Sequence, residues 1–174
     1  MIKLHLGCGT KHLEGYTNID IRYLPGVDEV NNIRFLRNYK NNSVDEIYAC
    51  HVLEHFGRWE YKDVLRRWFE LLKPNGKLRL AVPNFESICK YYSKTDDLQS
   101  LIGLLYGGQD YDENYHYITF DKTSLTRTLV ETGFRYINYY DSETIPGDDF
   151  SKSYLPHMDK ENGILMSLNL EITK

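Results

Sequence analysis

Apolar positions along the chain alternate between short runs with a period of two and longer stretches with a helical period, the order expected of strands and helices alternating in a βαβ sheet. Ile2 to Leu6 reads as a first strand and Tyr16 to Ile21 as a second. Val30 to Leu36 predicts a short third strand or edge segment, and Val44 to Ala49 a central strand leading into His51. Between Trp59 and Leu72, the residues Tyr61, Val64, Leu65, Trp68, Phe69, Leu71 and Leu72 fall at helical spacing. Lys73-Pro74-Asn75-Gly76 stops that helix, since proline cannot continue it and glycine supplies the turn. Lys77 to Val82 is then a strand ending at Pro83, Phe85 to Tyr92 a helix, and Gly103 to Tyr117 an irregular excursion rich in glycine, tyrosine and acid. Thr123 to Thr132 predicts a helix ended by Gly133, Phe134 to Tyr140 a strand, and Ile164 to Ile172 a last strand.

One connection is too short for this pattern. Only the nine residues Thr10 to Asn18 separate Gly9 from Ile19, whereas a crossover helix between parallel strands takes a dozen or more. Either the first helix is reduced to about a turn, or the second strand pairs in an unusual way.

The same region carries the candidate chemistry. Leu4-His5-Leu6-Gly7-Cys8-Gly9-Thr10 is an apolar strand running into a two-glycine turn, and Asn18-Ile19-Asp20 puts an acid at the end of the next strand. Glycine lets the backbone approach a ligand closely, and a carboxylate so placed can accept hydrogen bonds from a ribose diol. Together they suggest an adenosine-containing cofactor.

Composition narrows the class. With 174 residues, 41% hydrophobic and 26% charged, the chain reads as one globular domain spanning 1–174. A formal charge of −4 argues against a broad nucleic-acid footprint. Lys62, Arg66, Arg67 and Lys73 read as a solvated helix face. Cys8, Cys50 and Cys89 have no metal-ligand spacing and point to free thiols in a reducing compartment. Cys8 and Cys50 read as small packing residues. No basic leader or membrane-length apolar window is seen, so a cytoplasmic location is expected.

Two further segments are distinctive: Asp45-Glu46-Ile47-Tyr48-Ala49-Cys50-His51-Val52-Leu53-Glu54-His55-Phe56, and Leu71-Leu72-Lys73-Pro74-Asn75-Gly76-Lys77-Leu78-Arg79-Leu80-Ala81-Val82-Pro83. With the glycine turn, they resemble the class I S-adenosylmethionine-dependent methyltransferases, in particular small members with Leu-Gly-Cys-Gly, His-Val-Leu-Glu-His and Leu-Lys-Pro-x-Gly motifs. The resemblance covers roughly residues 2–140. It implies an α/β, Rossmann-like doubly wound, mostly parallel sheet with a C-terminal antiparallel strand. It implies S-adenosylmethionine as cofactor, with Gly7 and Gly9 against its methionine and ribose portions, Asp20 on the ribose hydroxyls, and Cys8 and Ile21 beside them. Asn32 and Ile33, or Asn31 in another register, would lie near the adenine amino group, and His51 at the methionine end. Many relatives carry an acid where this chain has His5, which either reaches the cofactor through water or faces a neighbouring strand.

Methyl transfer asks little of side chains beyond alignment and, where needed, removal of a proton. Glu54 and His55 begin the segment after the fourth strand, where the resemblance puts the transferred methyl, and His55 is a candidate general base. They read equally as a helix-start pair, with Glu54 near the dipole and His55 bonded to a loop. The excursion at about 103–120 lies where related enzymes build an acceptor pocket, and it supplies Tyr111, Tyr115 and His116 with nearby acids. Such aromatics stack on a sugar or base or surround an amine; a tyrosine-rich lid or dimer contact is the alternative. The scattered acids Asp20, Asp28, Glu29, Asp45 and Glu46 lack metal-site spacing, and no metal is expected.

The leading expectation is O-methylation of a small-molecule or glycan-like acceptor, with His55 and His116 as catalytic candidates and Glu54, Tyr111 and Tyr115 as substrate contacts. A nicotinamide-dependent oxidoreductase and a non-catalytic binding or scaffold module are the alternatives.

Overall fold

A computed structural model describes residues 1–145, 149–156 and 160–174. Seven strands form one sheet: β1 (Lys3–Leu6), β2 (Thr17–Asp20), β3 (Glu29–Val30), β4 (Val44–Cys50), β5 (Leu72–Pro83), β6 (Arg135–Tyr139) and, last in the chain, β9 (Ser167–Thr173). A separate small ribbon pairs β7 (Tyr154–Leu155) with β8 (Ile164–Leu165). The order across the sheet is β3-β2-β1-β4-β5-β9-β6. The first five strands run parallel, and β9 is inserted antiparallel between β5 and β6.

The short crossover resolves in favour of parallel pairing with no helix. β2 pairs with β1 in register Leu6 to Ile19, and residues 7–16 form only turns. Asn18 takes the place of the missing helix. Its Oδ1 accepts the Leu13 amide at 2.8 Å, its Nδ2 donates to the Leu13 and Tyr16 carbonyls at 3.2 and 3.3 Å, and the His5 ring donates to it at 3.0 Å. His5 thus faces a neighbouring strand, bonded within the sheet.

The expected third strand from Val30 to Leu36 is cut to two residues for an identifiable reason. The helix α1 (Tyr61–Leu71) takes the carbonyls that a strand would need: Trp68 donates its indole N–H to Ile33 at 2.9 Å. Arg67 donates to the carbonyls of Phe35, Leu36 and Tyr39. Arg67 is therefore a brace under the 33–41 turns, in contrast to the solvated face its spacing suggested.

After α1 the backbone becomes extended at Leu72, and residues 73–76 bulge out: Val44 pairs with Leu72 and Glu46 with Lys77. Beyond β5 come α2 (Phe85–Thr95), capped by Asn84, α3 (Ile102–Tyr106) and α4 (Lys122–Thr132), capped by Asp121 and closed at Gly133 with φ 114°.

The sheet separates two unequal layers. On one face α1 and α4 bury Leu4, Leu6, Ile47, Ala49, Trp68, Leu125 and Leu129 in the main core. The other face carries no comparable helix among the described residues; a smaller cluster of Leu13, Tyr48, Tyr140 and Ile145 covers it with irregular backbone. The winding is full on the first face and reduced on the second. No helix among the described residues is long and apolar enough to cross a membrane.

Candidate active site

Parallel strands bring the C-terminal ends of β1, β2, β4 and β5 to one edge of the sheet, where open α/β folds place their ligands. Register fixes the alignment: Leu6 lies beside both Ile19 and Ala49, and Cys50 beside Ala81. Gly7 to Gly9, Asp20 and Ile21, and His51 to His55 therefore emerge side by side.

Gly7 and Gly9 hold φ of +64° and +53°, a left-handed conformation that side chains resist. A Cβ on Gly7 would also stand 2.5 Å from Val52 Cγ2, so this glycine brings the β1 turn against the segment after β4. Asp20 ties the turn to β2: its Oδ2 accepts the Gly9 amide at 2.8 Å, and its Oδ1 accepts the Arg22 amide at 2.9 Å and Arg22 Nε at 3.1 Å. The Arg22 guanidinium in turn lies 4.0 Å over the Tyr111 ring. Cys8 is buried, and desolvation pushes its thiol up to about 11, which leaves it no nucleophilic character.

The adenine-side candidates lie at differing depths. Ile21 is exposed and follows β2 directly. Asn32 is exposed too, but its Oδ1 accepts the Arg34 amide at 3.0 Å. Ile33 is a core residue whose carbonyl is held by Trp68, and Asn31 Nδ2 is bonded to Glu29 and Asn38.

At the other end of the edge, Leu53 to His55 form one 3-10 turn. Glu54 is fully buried, and among the described residues neither carboxylate oxygen has a hydrogen-bond partner. Around it stand three histidines: His51 Nδ1 is 3.5 Å and His116 Nε2 3.9 Å from Oε1, and the His55 and His116 rings meet edge to face at 4.8 Å. The excursion closes over this cluster through backbone bonds. Tyr117 N donates to the Glu54 carbonyl at 2.9 Å, the His55 ring to Tyr115 at 3.1 Å, and the His116 ring to Leu104 at 2.9 Å. The structure thus brings His51, Glu54, His55, Tyr115 and His116 together and sets Tyr111 apart, against Arg22. The link between His116 and Glu54 spans 62 positions, beyond the reach of a local motif.

Burial governs the protonation of this cluster. It pushes the Glu54 carboxyl up to about 8 and pulls His51 down to about 3 and His116 to about 4, with His55 lowered as well. At neutral pH the His51–Glu54 contact is that of a neutral acid with a neutral imidazole. Because the folded-state value for Glu54 is raised, its stabilising contribution is complete below about 4.5 and is lost as pH rises through about 8. The histidines act in the opposite sense, with stability present above about 6.5 and lost as pH falls toward 4. In chelator-treated protein, Glu54→Gln is expected to flatten the alkaline fall of the thermal midpoint and leave the acid fall in place. An unchanged alkaline limb would place that titration elsewhere.

Comparisons with known proteins bear on the fold and on one segment of the chain. A methyltransferase domain family matches residues 24–80, the stretch holding β3, β4, His51 to His55 and α1 but neither the glycine turn nor Asp20. A methyltransferase from Archaeoglobus fulgidus, dependent on S-adenosylmethionine, is 14% identical, with a TM-score of 0.58 over 99% of this chain and 85% of its own. One from Methanosarcina mazei is 19% identical, with a TM-score of 0.60 over 99% and 91%. The 1,6-didemethyltoxoflavin N1-methyltransferase of Burkholderia thailandensis, solved with S-adenosylhomocysteine, is 15% identical with a TM-score of 0.57 over 99% and 70%. Among curated proteins, none matches the chain in sequence. Residues 24–80 thus match a methyltransferase domain family, and the sheet as a whole has the fold of class I S-adenosylmethionine-dependent methyltransferases.

Proposed function

We propose that the protein is an S-adenosylmethionine-dependent methyltransferase, and that it transfers the methyl group to a hydroxyl of a small, glycan-like acceptor held between the strand ends and the tyrosine-rich excursion. One observation carries the reading: a glycine turn with its carboxylate and a cluster of neutral imidazoles share one sheet edge, with the excursion bonded over the imidazole end.

The cofactor end fits S-adenosylmethionine, by a count of acceptor places on Asp20. A carboxylate offers about four. The Gly9 and Arg22 amides take two, and Arg22 Nε takes a third. When the Arg22 side chain swings aside, two remain, the number a ribose diol needs. Gly7 and Gly9 leave the backbone open beside them, and Ile21 offers an exposed apolar side chain for the base. Bound there, the sulfonium supplies an activated methyl group, so the protein's task is alignment and proton removal.

At the acceptor end, His55 and His116 present imidazoles kept neutral by burial, and Tyr115 and Tyr117 stand exposed with rings 6.5 Å apart. Exposed aromatic faces beside polar groups suit a sugar ring. A hydroxyl acceptor loses a proton on methylation, and a neutral imidazole is suited to receive it. His55→Ala is expected to leave cofactor affinity within about twofold while lowering turnover roughly 100-fold, the range of a lost proton acceptor. Isothermal titration and a methyl-transfer assay against nucleotide sugars and simple glycans check this, and full turnover would remove His55 from the acceptor site.

A further inference from the structure

The geometry points to a divalent metal site formed by Glu54, His55 and His116 at the acceptor end, suited to zinc or another first-row transition ion. Each residue offers a ligand atom, and the three lie within 4.8 Å of one another. Among the described residues, no donor reaches either oxygen of the Glu54 side chain, although it is completely buried. A buried carboxyl group in that state is a costly arrangement that calls for a counter-charge or a missing ion.

What surrounds it is basic in the Lewis sense. A backbone carbonyl can only accept, so His116 Nδ1, 2.9 Å from the Leu104 carbonyl, carries the proton and leaves the Nε2 lone pair facing Glu54 at 3.9 Å. His55 Nδ1 donates to the Tyr115 carbonyl at 3.1 Å, which fixes the same tautomer. This use of one ring nitrogen on a backbone carbonyl is how metal-binding histidines are oriented.

His51 is fixed by a longer chain. Asn169 Nδ2 donates to the Ser151 carbonyl, and Asn169 Oδ1 accepts from Ser167 Oγ at 2.8 Å. Ser167 Oγ, its proton so used, accepts from His51 Nε2 at 3.1 Å. The His51 Nδ1 lone pair is left 3.5 Å from Glu54 Oε1. With Glu54 ionised, the lone pairs of His51 and His116 converge on an oxygen that can only accept. A cation at their centre turns each of these repulsive pairs into a bond.

Two imidazoles with one carboxylate favour zinc, manganese, iron or cobalt over magnesium or calcium, which take oxygen ligands. Three protein ligands leave coordination positions open for a substrate atom or water. Resting on the acceptor site proposed above, the ion would bind the acceptor hydroxyl and make its proton easier to lose, with His55 then serving as a ligand and the proton passing to solvent. His51 then serves as a positioning residue or a fourth ligand.

Untagged protein, stripped by chelator, is titrated with cobalt(II) while the visible bands of the bound ion are read, and zinc is added to displace it. One ion per chain is expected at micromolar concentration, with more than tenfold weaker binding in both Glu54→Gln and His116→Gln and none of that loss in Cys89→Ala. A zinc-dependent rise in the thermal midpoint of the parent, absent in His116→Gln, distinguishes lost ligation from lost folding. No stoichiometric binding, or binding that survives both ligand substitutions, overturns the site. S-adenosylhomocysteine binding to the stripped protein is read separately, so a failed metal site and a failed methyltransferase assignment give different results.

Discussion

Replacing Asp20 by alanine is expected to weaken binding of S-adenosylmethionine by about 2 kcal/mol, roughly thirtyfold in Kd. A charge-assisted bond to the ribose is worth about twice a neutral one, and the same carboxylate fixes the Gly9 amide and the start of the segment after β2. Both losses act in the same direction. Arg22→Ala separates the two causes. It removes only the Nε competitor on Oδ1 and the stack on Tyr111, so affinity should hold or rise. Calorimetric titration of both variants decides the matter. Unchanged affinity in Asp20→Ala would show that the ribose is held elsewhere, and a loss in Arg22→Ala equal to that in Asp20→Ala would make the arginine a cofactor contact in its own right.

The largest effect on stability is expected from Gly7→Ala, about 2–4 kcal/mol, the sum of two costs. Left-handed backbone costs an alanine about 1 kcal/mol or more, and forcing a methyl into a packed site costs about 1–3 kcal/mol. Here the obstacle is a single side chain, Val52, whose two methyl groups would lie 2.5 and 3.2 Å from the alanine Cβ. The double variant Gly7→Ala with Val52→Ala should therefore be more stable than the sum of the two single losses, by roughly 1–2 kcal/mol, the coupling expected of residues in contact. Urea denaturation of the four proteins measures it. Simple additivity would mean that the strain lies wholly in the backbone of residue 7.

The sheet was legible in the chain because its signals are local. Period-two runs at Leu4, Leu6, Ile47 and Ala49 and the stripe on α1 each follow from burying one face. Boundaries failed where long-range polar bonds override the pattern. Val30 to Leu36 is as apolar as a strand, yet its carbonyls go to Trp68 and Arg67, some thirty positions away. Asn18 is the converse case. A buried asparagine in a short strand looks unremarkable in sequence, but it replaces a crossover helix by bonding the loop that the helix would have filled.

The candidate site was readable in halves. Gly7, Gly9 and Asp20 lie close together along the chain, and their roles follow from turn geometry. His51, Glu54 and His55 are also neighbours, but His116 joins them only because the excursion returns over the strand ends. Cation-binding sets spread across distant segments leave no spacing to detect. The spacing of Asp20, Asp28, Glu29, Asp45 and Glu46 therefore carries no information about the cluster around Glu54.

Calorimetric titration of the purified protein with S-adenosylmethionine and S-adenosylhomocysteine, against oxidised and reduced nicotinamide cofactors, decides which cofactor this edge of the sheet holds. Micromolar binding of the first two and none of the nicotinamides is expected. Absence of binding by both sulfur compounds would contradict it, and with it every role given to the residues at this edge of the sheet.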